Sequence, residues 1–146
     1  MIFNKVCVDK KEFLDLLLLG DEQEDMINRY LERGEMWTLY DDGIKAVRVV
    51  TDEGEGILEI KNLAVAPDSQ RKGYGRSMVE FIARRYMSFS KLRVGTGESP
   101  MTMPFYISRG FKEKSRIKNF FTDNYDHPII ENGVLLEDMI ILERSL

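Results

Sequence analysis

A short basic segment with a Gly-x-Gly turn joins a strand pattern to a helical pattern. The segment reads Gln70-Arg71-Lys72-Gly73-Tyr74-Gly75-Arg76-Ser77. Two glycines that flank one residue let the backbone curl, so that successive N–H groups point into one concavity that suits phosphate oxygens. The helix that begins there adds the positive end of its dipole, and Arg71, Lys72 and Arg76 add mobile positive charge. These features together predict a binding site for a pyrophosphate group.

The pattern favours coenzyme A over two other phosphate ligands. A nucleotide-hydrolysing P-loop needs GxxxxGK[ST], which the sequence lacks. A dinucleotide fingerprint needs a third glycine where Met78 stands and an acidic residue about 20 positions further on, a place that Glu98 could fill. That alternative stays open, although the sequence offers only one βαβ unit. Coenzyme A needs one pyrophosphate site, and its pantetheine arm can pair with an exposed strand edge as an added strand would.

The strand ahead of the turn changes phase part-way along its length. Within the run from Ile57 to Val65, Leu58 and Ile60 are apolar at even positions, whereas Leu63 and Val65 are apolar at odd positions. A slip of one residue in a two-residue period is what a β-bulge produces. A far half that is buried on both faces is the alternative explanation. We predict the bulge, which would expose a strand edge next to the basic turn.

The remaining periodicity predicts a mixed α/β or α+β fold around one βαβ crossover. We see no internal repeat and no linker, so one domain over residues 1–146 is expected. Helices are expected over residues 11–19, 22–33, 75–87 and 101–109, and strands over residues 36–40, 44–50, 57–65, 91–94, 111–121 and 134–142.

The composition excludes several classes of protein. Hydrophobic residues make up 43% and charged residues 32% of the chain, which is typical of a globular protein. The single cysteine, Cys7, excludes an internal disulfide and a multi-cysteine zinc site, and the single histidine, His127, excludes HExxH and His-triad metal sites. The longest strongly apolar run, 16–19, is far below the roughly 20 residues of a membrane span. The acidic N-terminal segment does not resemble a secretion signal, so we expect a cytoplasmic protein without a metal or a membrane contact.

The positive and negative charges are segregated along the chain. Residues 1–60 carry 7 basic and 15 acidic side chains, residues 61–118 carry 13 and 4, and residues 119–146 carry 1 and 6. This sorting predicts two ligand surfaces, one for an anion such as a polyphosphate and one for a cation. The net charge of −4 and the absence of a dense basic run argue against nucleic-acid binding.

Four further residues are interpreted as structural rather than chemical. We expect Cys7 to be a small core residue and His127 to lie at the surface. Trp37 and Tyr40 could line an acceptor pocket, but packing in the core is the simpler interpretation.

Two motifs in the chain resemble those of the GNAT N-acetyltransferases. Leu63-Ala64-Val65-x-Pro67 followed by Gln70-Arg71-x-Gly73-x-Gly75 looks like their acetyl-CoA motif, and Phe105-Tyr106-x-x-x-Gly110-Phe111 resembles their second motif. The order of elements is similar over essentially the whole chain. The resemblance implies a GNAT fold, with a central mixed, mostly antiparallel sheet, a bulged fourth strand and flanking helices.

The resemblance also implies roles for individual residues. Main-chain groups of Leu63, Ala64 and Val65 would pair with the pantetheine arm, and the segment from Gln70 to Ser77 would wrap the pyrophosphate. Tyr106 occupies the family's acid position, next to the thiol of the cofactor. One departure matters: many members have Asn shortly before the short helix, whereas this chain has Ser99 and Pro100.

Acetyl transfer to an amine sets the chemistry of three residues. An amine with a pKa near ~10.4 must lose a proton before it attacks, and Glu59, similar in its place to the glutamate of the histone-acetylating branch, is the candidate base or water-holder. The Val65 N–H, left unpaired by the bulge, would stabilise the oxyanion. The Tyr106 hydroxyl would give a proton to the departing thiolate.

We therefore predict an N-acetyltransferase that moves acetyl from acetyl-CoA to a primary amine in a ternary complex. The acidic flanks favour a cationic acceptor, either a small molecule or a protein amine. Two alternatives stay open, namely a non-catalytic acyl-CoA-binding or sensor module and a nucleotide-binding protein. The sequence allows a monomer or a homodimer.

Overall fold

A computed structural model describes all 146 residues of the chain. Nine strands are present: β1 (Ile2–Val6), β2 (Glu35–Tyr40), β3 (Ile44–Asp52), β4 (Ile57–Val65), β5 (Lys91–Thr96), β6 (Lys112–Ile117), β7 (Ile130–Glu131), β8 (Val134–Leu135) and β9 (Met139–Ser145). Five α-helices are present: α1 (Leu14–Gly20), α2 (Glu24–Ile27), α3 (Tyr74–Arg85), α4 (Thr102–Ser108) and α5 (Phe120–Asn124). None of the helices combines the length and the hydropathy that a membrane-spanning helix requires.

Seven strands form one mixed sheet in the order β1-β2-β3-β4-β5-β9-β6. Every neighbouring pair is antiparallel except β4 and β5, which are parallel and are joined through α3. The sequence therefore predicted the fold class correctly, including the single βαβ unit. The two short strands β7 and β8 pair only with each other.

The predicted bulge in β4 is confirmed by the pairing of β4 with β3. Val50 pairs with Ile60 and Val49 pairs with Asn62, so Lys61 has no partner across the ladder. In a β-bulge, two residues of one strand lie opposite a single residue of the neighbouring strand. The extra residue is what shifts the apolar side chains of β4 from even to odd positions.

The bulge also decides which layer each apolar side chain of β4 enters. Before the bulge, Leu58 and Ile60 pack with Val79 and Ile82 of α3. After it, the side chain of Ala64 joins the cluster under α1 and α2 on the other face of the sheet. Leu63 and Val65 then pack on the α3 face, beside the buried Met78. One extra residue thus keeps both faces of a nine-residue strand covered.

The structure differs from the predicted elements in four places. The strand expected over 111–121 is β6, which ends at Ile117, and α5 begins at Phe120 within the expected range. The helix expected over 22–33 is α-helical only as α2, and turns continue from it to Gly34. The strand expected over 134–142 divides into β8 and β9, and β9 inserts between β5 and β6. The edge strand β1 was missed because its short sequence is largely exposed and does not alternate.

The prediction for Cys7 is wrong, because Cys7 is exposed. It follows directly after the edge strand β1 and lies beyond Val6, the last residue that pairs with β2. Trp37 is a core residue as expected, and its indole N–H donates to the hydroxyl of buried Tyr86 at 3.0 Å. Tyr40, by contrast, is exposed. His127 lies at the surface as expected.

Candidate active site

A gap opens between β4 and β5 in the middle of the sheet. The two parallel strands pair only from Ile57 with Lys91 to Ile60 with Val94. Beyond Ile60, β4 bulges and continues to Val65 without a partner on the β5 side. A bulge increases the twist of its strand, and this separates the ends of two neighbouring strands. The far half of β4 is therefore a free strand edge inside the molecule.

The direction of the main-chain groups follows from one hydrogen bond at the end of β4. The N–H of Ala66 donates to the carbonyl of Lys45 at 2.8 Å, so even-numbered residues after the bulge face β3. Main-chain groups alternate sides along a strand, which directs those of Leu63 and Val65 into the gap and those of Ala64 toward β3. The Val65 carbonyl accepts from the Gln70 side chain at 3.2 Å. The N–H groups of Leu63 and Val65 face the gap.

The Gln70–Ser77 turn lies at the end of this free edge. Arg71 and Gly73 both have left-handed backbones, with φ of 62° and 88°, and α3 begins directly after Gly73. Only glycine adopts such a φ without strain, whereas Arg71 adopts it at some cost in energy. The two left-handed residues, with Lys72 between them, curl the chain before a 12-residue helix, and this directs first-turn N–H groups toward one point.

Gly75 keeps the space next to the turn free. A Cβ built on Gly75 would lie 3.4 Å from Phe105 of α4 and 3.8 Å from Val65. The start of α3, the end of β4 and α4 therefore meet at this residue. A side chain here would stand between the helix N-terminus and the free edge.

The side chains of the turn point in different directions. Tyr74 donates to Asp41 at 2.8 Å, and this bond raises the pKa of the Tyr74 hydroxyl. Arg76 pairs with Glu80 one turn later along α3 at 3.1 Å. Arg71 and Lys72 are exposed. The turn therefore has main-chain donors at the start of α3 and two exposed basic side chains, whereas the third base, Arg76, is paired.

Tyr106 lies on the other side of the gap, on α4. It is 6% exposed, and its ring packs edge-on against Phe105 and Phe111. Burial, and to a smaller extent the negative charge of Glu131, raises the pKa of the Tyr106 hydroxyl far above its ordinary value. The hydroxyl is therefore protonated at neutral pH, which is the state that a proton donor needs.

Glu59 lies on β4 before the bulge and faces a cavity of about 630 Å³ on the α1–α2 side of the sheet. Its carboxylate is 2.5 Å from the Lys61 ammonium and 3.8 Å from the Arg93 guanidinium. Its side chain is 12% exposed. Glu59 is thus held between two cations rather than free.

A smaller cavity of about 270 Å³ lies between the free edge and the segments that follow α1 and α5. Tyr106 lines it together with three acidic residues, Asp21, Glu22 and Glu131, and one base, Lys61. Burial raises the pKa of both Asp21 and Glu131. The acidic residues come from the two acidic segments of the chain, residues 1–60 and 119–146. The cavity is therefore suited to a positively charged group.

Sequence reasoning missed Asp21, Glu131 and Asn132. Asn132 donates to the buried Ser99 hydroxyl at 3.0 Å, so an amide from the β7–β8 turn reaches the residue that departs from the family pattern. Glu131 accepts from Thr102 of α4 at 3.4 Å. The only sequence signal for Asp21 was its position between two helical patterns. No pattern in the sequence predicted the β7–β8 hairpin that carries Glu131 and Asn132.

Glu98 is the acidic residue that a dinucleotide-binding site would use. It forms an ion pair with Arg116 of β6. It lies at the end of β5 and is also part of a shallow pocket with the loop after β8. Its carboxylate is thus already bound within the protein. This arrangement weakens the dinucleotide alternative, which needs that carboxylate for a ribose.

A family model and a curated protein that match this chain are both described as acetyltransferases. Residues 32–113 match the family model described as "Acetyltransferase (GNAT) domain". The chain is 35% identical over 139 residues to the uncharacterized N-acetyltransferase YvbK of Bacillus subtilis (strain 168), covering 92% of this chain and 90% of that protein.

Two solved structures are also similar along almost their whole length. The IAA acetyltransferase from Bacillus cereus ATCC 14579 superposes with a TM-score of 0.91 and 32% identity, covering 99% of both chains. A GNAT family acetyltransferase from Elizabethkingia anophelis with acetyl-CoA bound gives a TM-score of 0.90 and 34% identity, covering 99% of this chain and 97% of that one.

Proposed function

The chain belongs to the GNAT acetyltransferase family and is an acyltransferase, and we propose that it moves the acetyl group of acetyl-CoA to a primary amine of a cationic acceptor. The amine attacks the thioester directly in a ternary complex. The observation that carries this proposal is the free edge of β4 between the basic turn and Tyr106.

Acetyl-CoA fits the residues along this edge. Its pyrophosphate would bind the main-chain donors from Gly73 to Arg76, with Arg71 and Lys72 nearby. The Ser77 N–H already donates to the Gly73 carbonyl at 2.9 Å, so we assign it no contact with the phosphates. Its pantetheine arm would pair with the main-chain groups of Leu63 and Val65, which face the gap. Ala64 directs its own groups to β3, so we assign it a packing contact only. The acetyl-CoA bound to the Elizabethkingia relative supports this choice of ligand.

The thioester would then lie between Val65 and Tyr106. The Val65 N–H would stabilise the oxyanion, because a donor that is already fixed in a strand needs no reorganisation. As the C–N bond forms and the C–S bond breaks, Tyr106 gives its proton to sulfur and regains one from the nitrogen.

A second proton must leave the acceptor before attack, because its ammonium form has no free electron pair. Glu59 is the proposed recipient, directly or through water. Since its carboxylate is already paired with Lys61 and Arg93, we favour the water-mediated route. The released proton then passes to solvent, and the products are the acetamide and free CoA thiol.

The smaller cavity supports both the ternary complex and the choice of acceptor. It is lined by Tyr106 on the cofactor side and by Asp21 and Glu22 on the other, so both substrates can meet in one space. Three carboxylates against one lysine would attract a cation. A polyamine, an aminoglycoside, an amino acid derivative and a protein amine all remain candidates.

The test is a thiol-release assay with acetyl-CoA and a panel of amines, comparing the wild type with Tyr106→Phe. We expect release that depends on an added amine, and a fall in kcat of about 100-fold or more in the variant with the affinity for CoA retained. CoA binding without release across the panel would support the sensor alternative. Wild-type rates in Tyr106→Phe would remove this residue from the mechanism.

A nucleotide ligand is tested by thermal stabilisation, because a ligand that binds only the folded state raises Tm by mass action. We expect CoA to raise Tm more than NAD or ATP at the same concentration. A larger shift with either nucleotide would reject acetyl-CoA as the natural ligand.

A further inference from the structure

Asp21 is the one acidic residue that lines both cavities of the site. It follows the last residue of α1, and its N–H donates to the Leu17 carbonyl at 3.0 Å. It lies on the wall of the smaller cavity with Tyr106 and on the wall of the larger cavity with Glu59. A molecule that extends from one cavity to the other would pass this carboxylate.

Two tyrosine hydroxyls hold the Asp21 carboxylate in place. Tyr30 donates to Oδ2 at 2.9 Å, and Tyr125 donates to Oδ1 at 2.5 Å. Hydrogen bonds to a charged acceptor are short and strong, and each carboxylate oxygen has a further lone pair available. Tyr30 follows Asp21 by 9 residues and Tyr125 follows it by 104 residues, so two separate segments of the chain orient the carboxylate.

Asn62, the residue after the bulge, fixes the direction of one of these bonds. Its Nδ2 donates to the Leu17 carbonyl at 2.9 Å and to the Tyr30 hydroxyl at 3.1 Å. An amide nitrogen can only donate, so the Tyr30 hydroxyl accepts this bond and turns its own proton to Asp21. The network therefore presents hydrogen-bond donors to the carboxylate, and these bonds offset part of the effect of burial, which raises the pKa of Asp21.

No basic side chain of the protein neutralises this carboxylate directly. The positive charge of Arg29 acts on it without an ion pair, because the Arg29 guanidinium donates to the Asn124 side chain at 3.1 Å. A half-buried carboxylate without a cationic partner is costly unless a ligand supplies the charge. The ligand cation is the partner that this arrangement lacks.

We propose that Asp21, held by Tyr30 and Tyr125, binds a cationic nitrogen of the acceptor and thereby selects amines that carry positive charge. This inference rests on the proposed function, whose charge-based choice of acceptor it assigns to one residue. Asp21 is a specificity residue, and Tyr30 and Tyr125 are its positioning residues.

The binding of spermidine and of lysine methyl ester to the CoA-saturated protein tests this proposal by calorimetry. We expect Asp21→Asn to raise the Kd of the amine about 10-fold or more, because a charge-assisted contact is lost. The Kd for CoA should stay within about twofold. Tyr30→Phe and Tyr125→Phe should raise the amine Kd by less. The exposed Asp15 of α1 provides the matched control, and Asp15→Asn should leave both constants unchanged.

The pH dependence of amine binding is a second readout that a purely structural residue would not change. Burial raises the pKa of Asp21, so the wild type should lose amine affinity as the pH falls through that raised value. The amine itself stays protonated there, and Asp21→Asn should remove this dependence.

Other groups face Asp21 and require a control. They are Tyr30, Arg29 and Asp25 from α2 and the turn after it, Tyr125 after α5, and Glu22, Lys61 and Glu131 around the cavities. Burial raises the pKa of Tyr30 and Tyr125 out of the range of this titration. Glu131 is the other carboxyl group here whose pKa is raised, and the variant Glu131→Gln distinguishes its titration from that of Asp21.

Each result decides the proposal independently of turnover. Equal amine affinity in the wild type and Asp21→Asn, or no amine binding in the wild type, would overturn it. Amine binding that depends on Asp21 without thiol release would keep the inference and reject the proposed acetyl transfer.

Discussion

Arg48 is the most deeply buried charged residue of the chain, and it lies outside the candidate active site. It is fully buried on β3, and none of its three guanidinium nitrogens has a hydrogen-bond partner. The rings of Trp37, Phe81 and Tyr86 surround its guanidinium carbon at 5.3 to 5.4 Å. Cation–π contacts return only about 0.5–2 kcal/mol each, while the unpaired N–H groups lose their hydration.

The energetic balance at Arg48 predicts the effect of replacing it. Burial lowers the pKa of Arg48 to about 10. The charged guanidinium therefore lowers the free energy of unfolding at every pH near neutrality, and this loss decreases only when the pH rises above about 10. We expect Arg48→Met to raise Tm by about 2–4 °C, corresponding to roughly 1 kcal/mol, equally at pH 6 and pH 8. Arg48→Lys, which keeps the charge but not the flat stack, should lower Tm. A lower Tm in Arg48→Met would show that the three rings outweigh the lost hydration.

At the residue scale, sequence predicted the side chains that depend on their own neighbours. The Gly73 turn and the place of Tyr106 after β5 were read from short motifs. Arg48 was missed because nothing in an apolar strand pattern indicates that a lysine or arginine within it is buried. Asp21 was missed for a similar reason, since both of its hydroxyl donors come from other elements.

The strand β4 is the element on which the site depends. Its bulge at Lys61 ends the pairing with β5, turns the N–H groups of Leu63 and Val65 into the gap, and places Asn62 under Asp21's network. The boundaries of β4 and the bulge were both predictable, because a strand's two-residue period reports its own register.

Deletion of Lys61 tests the role of the bulge. Without this residue, Ile60 is followed by Asn62, so strict alternation keeps Leu63 and Val65 on the α3 face and the protein should still fold. The straightened strand would close toward β5, and we expect the Kd for CoA to rise about 10-fold or more. Calorimetry with CoA and a thermal melt measure the two effects.

Lys61→Ala is the control for that deletion. It removes the ion pair with Glu59 but keeps the extra backbone residue, so CoA binding should stay within about twofold of the wild type. A deletion variant that binds CoA like the wild type would show that the gap does not need the bulge.

On the scale of the whole molecule, the fold assembles two surfaces of opposite charge. The basic turn before α3 comes from the middle of the chain, whereas Asp21 and Glu22 precede it and Glu131 follows it. The sheet order places β5 beside β4, and the hairpin β7–β8 closes the site from the far end of the chain. The proposed sites for acetyl-CoA and for the acceptor would therefore have electrostatic potentials of opposite sign.

These fields predict a salt dependence for both substrates. Raising the ionic strength from about 0.01 M to about 0.15 M shortens the Debye length from about 30 Å to about 8 Å. We expect kcat/KM to fall for acetyl-CoA and for spermidine, and to fall less for a monoamine. Steady-state rates in increasing KCl measure this effect, with sucrose as the control for osmolality. A spermidine kcat/KM that is independent of salt would contradict an electrostatic role for the acidic cavity.

The amino-acid sequence alone determined the local features: the basic Gly-x-Gly turn, the register slip in β4 and the short helix that carries Tyr106. Such features depend on backbone angles and on the periodicity of apolar side chains within about ten residues, so the local sequence is sufficient to predict them. Only the tertiary structure decided that β9 inserts beside β5, that Cys7 is exposed and that Tyr125 reaches Asp21 across 104 residues of chain. Contacts of that separation depend on how whole elements pack, and no local pattern records them.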